Sequence, residues 1–280
     1  MSPVRVTAPA SSANLGPGYD VLAAALSLQL QLEVEETGSF SVESNVPGVP
    51  LDRSNFCVRA FESLHSAERV AFRISSEIPL AAGLGSSAAA AVAGLVAAQH
   101  MYRVEAPVYE HAVALEGHPD NAAAALHGGF VVCSDGPPLR LEPPLGLEAV
   151  LAIPPHAVPT SDARAVLPAE VPIADAVHNV AHAALLVLGL AAGDLELIAR
   201  GLSDRIHQPR RRALYPGSME LVERARELGA LGASISGAGP SVLFWARSDA
   251  AAELGERVSA AAPECDTRRL GFSANGARVS

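Results

Sequence analysis

Two periods run through this chain and divide it into elements. Apolar and polar residues alternate over Val4–Thr7, Leu28–Glu35 (LQLQLEVE), Phe40–Glu43 and Val70–Ile74, which is the period of half-buried strands. Apolar residues recur at helical spacing over Asn55–Ser66, where Phe56, Ala60 and Leu64 share a face, and the Ala-rich run Ser86–Tyr102 reads as a long helix. A shorter helix is predicted over Pro107–Leu115, with proline in its first turn. Gly129–Cys133 and Leu147–Ile153 read as strands. A more helical half follows, with helices over Ala174–Leu190, Leu195–Leu202 and Met219–Leu228. Strands then recur at Ala233–Ile235 and Val242–Ala246, with a helix at Ala250–Ala261 and a last strand at Thr267–Phe272. The proline-rich stretch Gly136–Pro144 is the predicted link between two domains, residues 1–145 and 146–280. Strands and helices mix without regular βαβ alternation, so the pattern predicts an α+β fold rather than a doubly wound parallel sheet.

Composition narrows the function. The chain has 280 residues, 49% apolar and 18% charged, enough to bury a full core and too apolar for disorder. Aromatics are only 4%, so packing rests on many small side chains in close contact. A formal net charge of -10 argues against nucleic acid or an anionic membrane as the main partner. All 20 basic residues are arginine. The absence of lysine removes Schiff-base chemistry, a phosphate loop ending in Gly-Lys-Ser/Thr, and the strand lysine of protein kinases. Cys57, Cys133 and Cys265 are scattered, which fits a reducing compartment and neither a disulfide framework nor a zinc site. The N-terminus lacks the charged and apolar regions of a signal peptide. The uncharged run between Glu77 and Arg103 is long enough to span a membrane. However, Leu80–Ala98 is mostly Ala, Gly and Ser, and Pro79, Gly83 and Gly85 interrupt its start. A cytoplasmic protein is expected.

The densest chemical signal is Glu77-Ile-Pro-Leu-Ala-Ala-Gly-Leu-Gly-Ser-Ser-Ala-Ala, ending at Ala89. Gly83 and Gly85 allow a tight turn that presents consecutive N–H groups, and Ser86 and Ser87 open the long helix. Such a cradle can hold a phosphate without lysine; an ordinary helix start with serine as N-cap has the same appearance. Gly83-Leu-Gly85-Ser-Ser-Ala88 also fits the dinucleotide pattern GxGxxA. In that motif a strand runs straight into the first glycine, whereas a proline-broken segment intervenes here. Two further small-residue segments, Pro9–Asp20 (PASSANLGPGYD) and Ser236–Ser241 (SGAGPS), adjoin strands and could converge with the first.

In order and spacing these three segments resemble the signature motifs of the GHMP kinase superfamily, and PASSANLGPGYD is similar to the homoserine kinase form of the first. Leu115–Asn121 (LEGHPDN), Pro159–Pro168 and Gln208–Gly217 agree as well, so the resemblance covers essentially the whole chain. It implies a two-domain GHMP kinase fold, with a ribosomal-S5-like N-terminal domain and a ferredoxin-like C-terminal domain. The implied activity is ATP-dependent phosphorylation of the L-homoserine hydroxyl, giving O-phospho-L-homoserine for threonine synthesis. By the same resemblance Pro79, Leu80, Ala81, Ala82, Gly83, Leu84, Gly85, Ser86, Ser87, Ala88 and Ala89 would wrap the ATP phosphates. Asn55 would lie near the adenine, although it also reads as a helix N-cap. Ser87 and Glu116 would hold Mg²⁺, with an exposed helix end as the bland reading of Glu116. Asn14, Asp20, His118, Asp120, Asn121, Arg164 and Arg211 would surround the amino-acid substrate. A zwitterion asks for arginines at its carboxylate and an acid at its ammonium, for which Asp20 and Asp120 are candidates. Arg211 lies in the run Arg210–Arg212, which otherwise reads as a solvated basic surface. Asp120 also matches the position of a catalytic aspartate in related kinases. A homodimer is the family expectation.

His178 and His182 sit four apart on a predicted helix, but residue 179 is Asn rather than the Glu of a zinc protease, and no third ligand is evident. Another small-alcohol kinase of the superfamily and a non-catalytic nucleotide-binding protein on the same fold are the alternatives.

Overall fold

The computed structural model describes residues 3–280. The first half runs β1 (Val4–Ala13), β2 (Leu22–Glu36), β3 (Ser41–Ser44), α1 (Phe56–Glu62), β4 (Val70–Ser76), α2 (Ser86–Tyr102), α3 (Val108–Glu116), α4 (Asp120–His127), β5 (Phe130–Val132) and β6 (Leu139–Leu141). The second half runs β7 (Leu147–Ile153), α5 (Thr160–Ala165), α6 (Ile173–Ala192), α7 (Leu195–Gly201), a 3₁₀ turn (Pro209–Arg211), α8 (Pro216–Glu223), β8 (Gly232–Ile235), β9 (Val242–Arg247), α9 (Ala251–Ala261), β10 (Asp266–Leu270) and β11 (Arg278–Val279). The expected α+β class is what the chain adopts.

The strands form two sheets. The first has the order β11-β1-β2-β4-β3, with β5 added to β2 and β6 to β5, and only the β3–β4 pair is parallel. The second has the order β10-β7-β9-β8, antiparallel throughout, which is the ferredoxin-like arrangement of a βαββαβ unit. The sheets separate between β6 and β7. The chain nevertheless does not divide cleanly at residue 145, because β11 returns to pair Val279 with Val6 in the first sheet. The segment Gly136–Pro144, expected as a bare link, carries β6, a three-residue strand too short to show a period.

Pattern and packing agree where the two faces of a strand differ. In β2, Leu28, Leu30, Leu32 and Val34 are buried while Gln29 and Gln31 are exposed. Upstream, Leu22–Leu26 is buried on both faces, and so is most of β1 beyond Thr7. Those small residues lie beneath helices: Ala13 and Ala23 pack with Ala123 and Ala124 of α4. The segment Pro9–Ala13, expected as a loop, is therefore strand, and its turn is confined to the residues after it. β7 and β9 are likewise covered twice. Leu147, Ala149, Leu151 and Ile153 join the core shared with the first sheet, whereas Val150 and Ala152 join the core under α8 and α9. Phe130, Trp245 and Phe272, with ring centroids 4.7–5.7 Å apart, tie the two sheets together.

Helix α2 is the central helix of the first half, and its alanines are buried on nearly every side. It crosses α1 at Gly94, where a methyl group would overlap the carbonyl oxygen of Cys57. Gly94→Ala should therefore destabilise the fold by about 1–3 kcal/mol, although alanine is the better helix former; a denaturant midpoint at or above wild type would contradict this packing. Helix α6 is the opposite case. It is the one helix, among the described residues, long and apolar enough to cross a membrane by length and composition, yet only 22% of that window is buried. Ile173, Val177, Val180 and Leu188 form an exposed stripe along it. Its His178 and His182 rings stack 3.8 Å apart, and no group of three or more His, Cys, Asp or Glu able to hold a metal occurs among the described residues.

Candidate active site

The glycine-rich turn leads into α2 with Ala81, Gly83 and Gly85 all at positive φ. Gly85 itself is the N-cap, in left-handed geometry and with no side-chain cap, so the serine N-cap reading does not hold. The N–H groups of Ser86, Ser87 and Ala88 open the helix without intrahelical partners, whereas that of Ala89 donates to the Gly85 carbonyl. Uncapped donors at the positive end of a 17-residue helix suit an anion. The turn is braced from two sides. Ser236 Oγ donates to the Gly83 carbonyl at 2.7 Å, and Ser11 N–H donates to the Leu84 carbonyl at 3.1 Å. A side chain at Gly85 would strike Ser11 Oγ, so the first and third small-residue segments both press on the second.

Opposite the helix start, α3 ends at Glu116 and Gly117 turns the chain with φ 79°. Ser87 Oγ donates to Glu116 Oε2 at 2.8 Å. Burial raises the Glu116 pKa, with Ser87 and His118 opposing the shift. Glu116 is thus not a merely exposed helix end. Asp120, the first residue of α4, is almost wholly buried and accepts from the Asn121 N–H at 2.7 Å. His118 Nδ1 lies 3.3 Å from Asp120 Oδ1, at ion-pair distance though without hydrogen-bond alignment. That contact raises the histidine pKa against the effect of burial. Asn121 Oδ1 accepts from Ser11 Oγ at 2.7 Å.

The remaining wall carries the charges. Arg164 sits in the last turn of α5, and its Nη1 and Nη2 grip Asp20 at 2.9 and 2.7 Å. Its Nη1 also donates to Tyr19 Oη at 2.9 Å. Arg211 is 1% exposed, unlike its solvated neighbours Arg210 and Arg212. The Tyr19 ring is near both arginines, with each guanidinium carbon 5.6 Å from its centroid. Asn14 is committed to the protein: its Nδ2 donates to the Gly237 carbonyl at 2.8 Å and its Oδ1 accepts from Asp20 N–H at 3.0 Å.

One cavity of about 230 Å³ gathers Asn14, Asp20, Ala81, Gly83, Leu84, Gly85, Ser86, Ser87, Glu116, His118, Asp120, Asn121, Arg164 and Arg211. Tyr19, Thr160, Gly237 and Ala238 line it too and were not singled out from the sequence. A second, apolar cavity of about 300 Å³ shares Ser86 and Ser87 and adds Leu80, Val46, Val49, Pro50 and Phe56. Asn55 lies at its edge, capping α1 through the Cys57 N–H and donating to the Pro50 carbonyl. Pro79, Ala82, Ala88 and Ala89 line neither cavity, and the three alanines are packed in the core.

Residues 55–129 match the family description "GHMP kinases N terminal domain", and residues 186–264 match "GHMP kinases C terminal". A homoserine kinase of Thermus thermophilus is 41% identical over 281 residues, covering 96% of both chains. That of Deinococcus radiodurans is 43% identical over 86% of this chain and 83% of its own. The chain belongs to the homoserine kinase family of GHMP kinases. The crystal structure of a homoserine kinase from Cytophaga hutchinsonii superposes on this chain with a TM-score of 0.87, at 30% identity, covering 100% of this chain and 98% of the other. Membership in this kinase family makes the chain an ATP-using phosphotransferase. The homoserine kinase fold thus accounts for both sheets and for the cleft that lies between the three motifs.

Proposed function

We propose that this protein transfers the γ-phosphoryl group of ATP to the hydroxyl of L-homoserine, giving O-phospho-L-homoserine for threonine synthesis. The observation that carries this reading is the single cavity in which an uncapped helix N-terminus faces Asp20, Arg164 and Arg211. The first can hold transferring phosphate, and the second can hold a zwitterion. The apolar cavity that shares Ser86 and Ser87 suits an adenine ring, with Asn55 at its edge shaping the wall rather than reaching the base. Phosphates would then lie along the N–H groups of Gly83–Ala88.

Ser87 Oγ and Glu116 Oε2, 2.8 Å apart, are hard oxygens suited to Mg²⁺, which on this reading draws its other ligands from phosphate and water. Bound magnesium supplies charge neutralisation of the phosphates. Asp20 binds the substrate ammonium, and Arg164 and Arg211 bind its carboxylate. His118 and Asn121 flank the hydroxyl. Phosphoryl transfer needs mainly this positioning: the hydroxyl oxygen bonds to the γ-phosphorus as the bridge to the β-phosphate breaks. The displaced proton has two acceptors in the cleft, the Asp120 carboxylate and the transferring phosphate. Asp120→Asn separates them, because only the first route needs the carboxylate.

The test is purified protein with Mg-ATP and a panel of homoserine, mevalonate and galactose, read as ADP release. Homoserine alone should stimulate strongly. Equal turnover of mevalonate or galactose would overturn the substrate assignment and leave the kinase assignment standing. The apolar stripe on α6 supports pairing of two copies in the cytoplasm, and sedimentation as a monomer would contradict it.

A further inference from the structure

Behind the cleft wall lies a buried polar cluster that the reaction as described does not use. At its centre the His207 imidazole is fully buried. Its Nε2 lies 2.7 Å from the Gly16 carbonyl oxygen, which can only accept, so Nε2 carries the hydrogen. Nδ1 is therefore a bare acceptor, 3.1 Å from Arg211 Nη1, which can only donate. With Nε2–H on a carbonyl and Nδ1 facing a pure donor, the ring carries one hydrogen and is neutral. Burial and the Arg211 charge push its pKa down as well, against the pull of Asp204. The Asp204 side chain is itself fully buried, and it accepts from the N–H groups of Ile206, His207 and Gln208 and from Asn179 Nδ2. These bonds fix the turn that carries the imidazole.

Arg211 is held at three points. Its Nε donates to the Ala163 carbonyl at 2.9 Å, and its Nη1 donates to the Gly237 carbonyl at 3.0 Å and to His207 Nδ1. These bonds use Nε and Nη1 only; the Tyr215 hydroxyl is the other side-chain group beside the guanidinium, and the Arg211 side chain lines the cleft. Of the three acceptors His207 is the only side chain, and its other nitrogen is bound to the loop that carries Tyr19 and Asp20.

We infer that His207 is a positioning residue for substrate: as the Nε2–H tautomer it locks Arg211 so that the Nη2 edge meets the substrate carboxylate, and it ties that edge to the Gly16 loop. The inference rests on the proposed homoserine reaction. It makes the effect of His207 depend on the carboxylate, which a merely structural role would not.

The experiment compares His207→Leu and His207→Gln on two alcohols, L-homoserine and 3-amino-1-propanol, which keeps the ammonium and hydroxyl but lacks the carboxylate. His207→Leu should raise the KM for homoserine about tenfold, leave the KM for ATP unchanged, and leave turnover of 3-amino-1-propanol as in wild type. His207→Gln offers an oxygen acceptor and an amide donor and should restore most of the homoserine KM. Equal loss on both alcohols, a matching rise in the KM for ATP, or no rescue by glutamine overturns the role. Should His207→Leu fail to fold, ¹⁵N spectra of the wild-type chain decide. An unprotonated Nδ1 whose resonance moves with homoserine and not with ATP supports the role; a protonated Nδ1, or one indifferent to homoserine, overturns it. Wild-type protein inactive on homoserine would overturn the functional proposal instead, so the two failures are distinct.

Discussion

Glu116→Ala is expected to lower kcat by on the order of a hundredfold or more at saturating Mg²⁺. The carboxylate stands 2.8 Å from Ser87 Oγ at the mouth of the uncapped helix, where charge develops as the phosphoryl group moves. Its removal takes a negative oxygen from the proposed cation site and leaves the N–H cradle untouched, so ATP affinity should fall less than turnover. Stability should move the other way. Burial raises the Glu116 pKa in the folded chain. A carboxyl raised on folding favours the fold fully when protonated, below its unfolded pKa, and loses that contribution as pH rises through the folded value. At neutral pH the ionised group is therefore a burden on the apo fold, and Glu116→Gln should melt at or above the wild-type temperature while losing activity. Steady-state kinetics and thermal unfolding of the two variants check this. Near-normal kcat would remove Glu116 from the metal site, and a lower melting temperature would show that its ionised form is stabilised by the fold.

The elements legible in the sequence are those whose two faces meet different surroundings. LQLQLEVE shows its period because Gln29 and Gln31 face solvent while Leu30 and Leu32 face the core. The same strand begins at Leu22, six residues before the pattern does, since Ala23 and Ala25 are also buried. The PASSA segment was hidden for the same reason: alanine and serine suit a strand overlaid closely by helices, and they also suit a loop. The strands β6 and β11 are too short to carry a period, and β11 exists only because the chain returns, Val279 to Val6, to pair with β1. Helix α2 was found by composition rather than by amphipathicity, for it has almost no exposed face.

The glycine-rich cradle was more legible than the strands around it, because a backbone turn under close contact constrains sequence more tightly than packing does. Gly83 and Gly85 cannot be replaced without striking Ser236, Gly239 or Ser11. Glycine is thus required where the three segments touch, and the requirement is visible as a motif. Tyr19 and His207 left no such trace. Tyr19 is an aromatic within a turn, and its contact with two guanidiniums depends on segments about 145 and 190 residues away. His207 is one more histidine in a polar stretch until the fold buries it. Asn14 carries a second role that the motif does not show: it lines the cleft, and its amide also holds the loop to Gly237 and to Asp20.

Arg164→Ala should raise the KM for homoserine about ten- to hundredfold and leave the KM for ATP nearly unchanged. The lower bound reflects the partial exposure of the side chain, 38%; the range follows from the roughly 1.5–3 kcal/mol of a charge-assisted hydrogen bond. In the cleft as it stands Arg164 and Asp20 grip each other through two bonds. A zwitterion presents a carboxylate and an ammonium in the same reach, so on the proposed reading binding exchanges one ion pair for two and leaves no charge unmatched. Arg164→Lys should rescue poorly, because an ammonium cannot reproduce the planar fork that meets Asp20, Tyr19 and a carboxylate together. The pairing also predicts non-additivity. Removing Arg164 alone leaves Asp20 with an uncompensated carboxylate that repels the substrate's own, and Asp20→Asn alone leaves Arg164 without its charged anchor, held only by Tyr19 Oη. The double variant Asp20→Asn with Arg164→Ala should therefore lose less than the sum of the two single losses. Additive losses would mean that the two side chains act on the substrate independently, and an equal rise in both KM values would place Arg164 on the nucleotide.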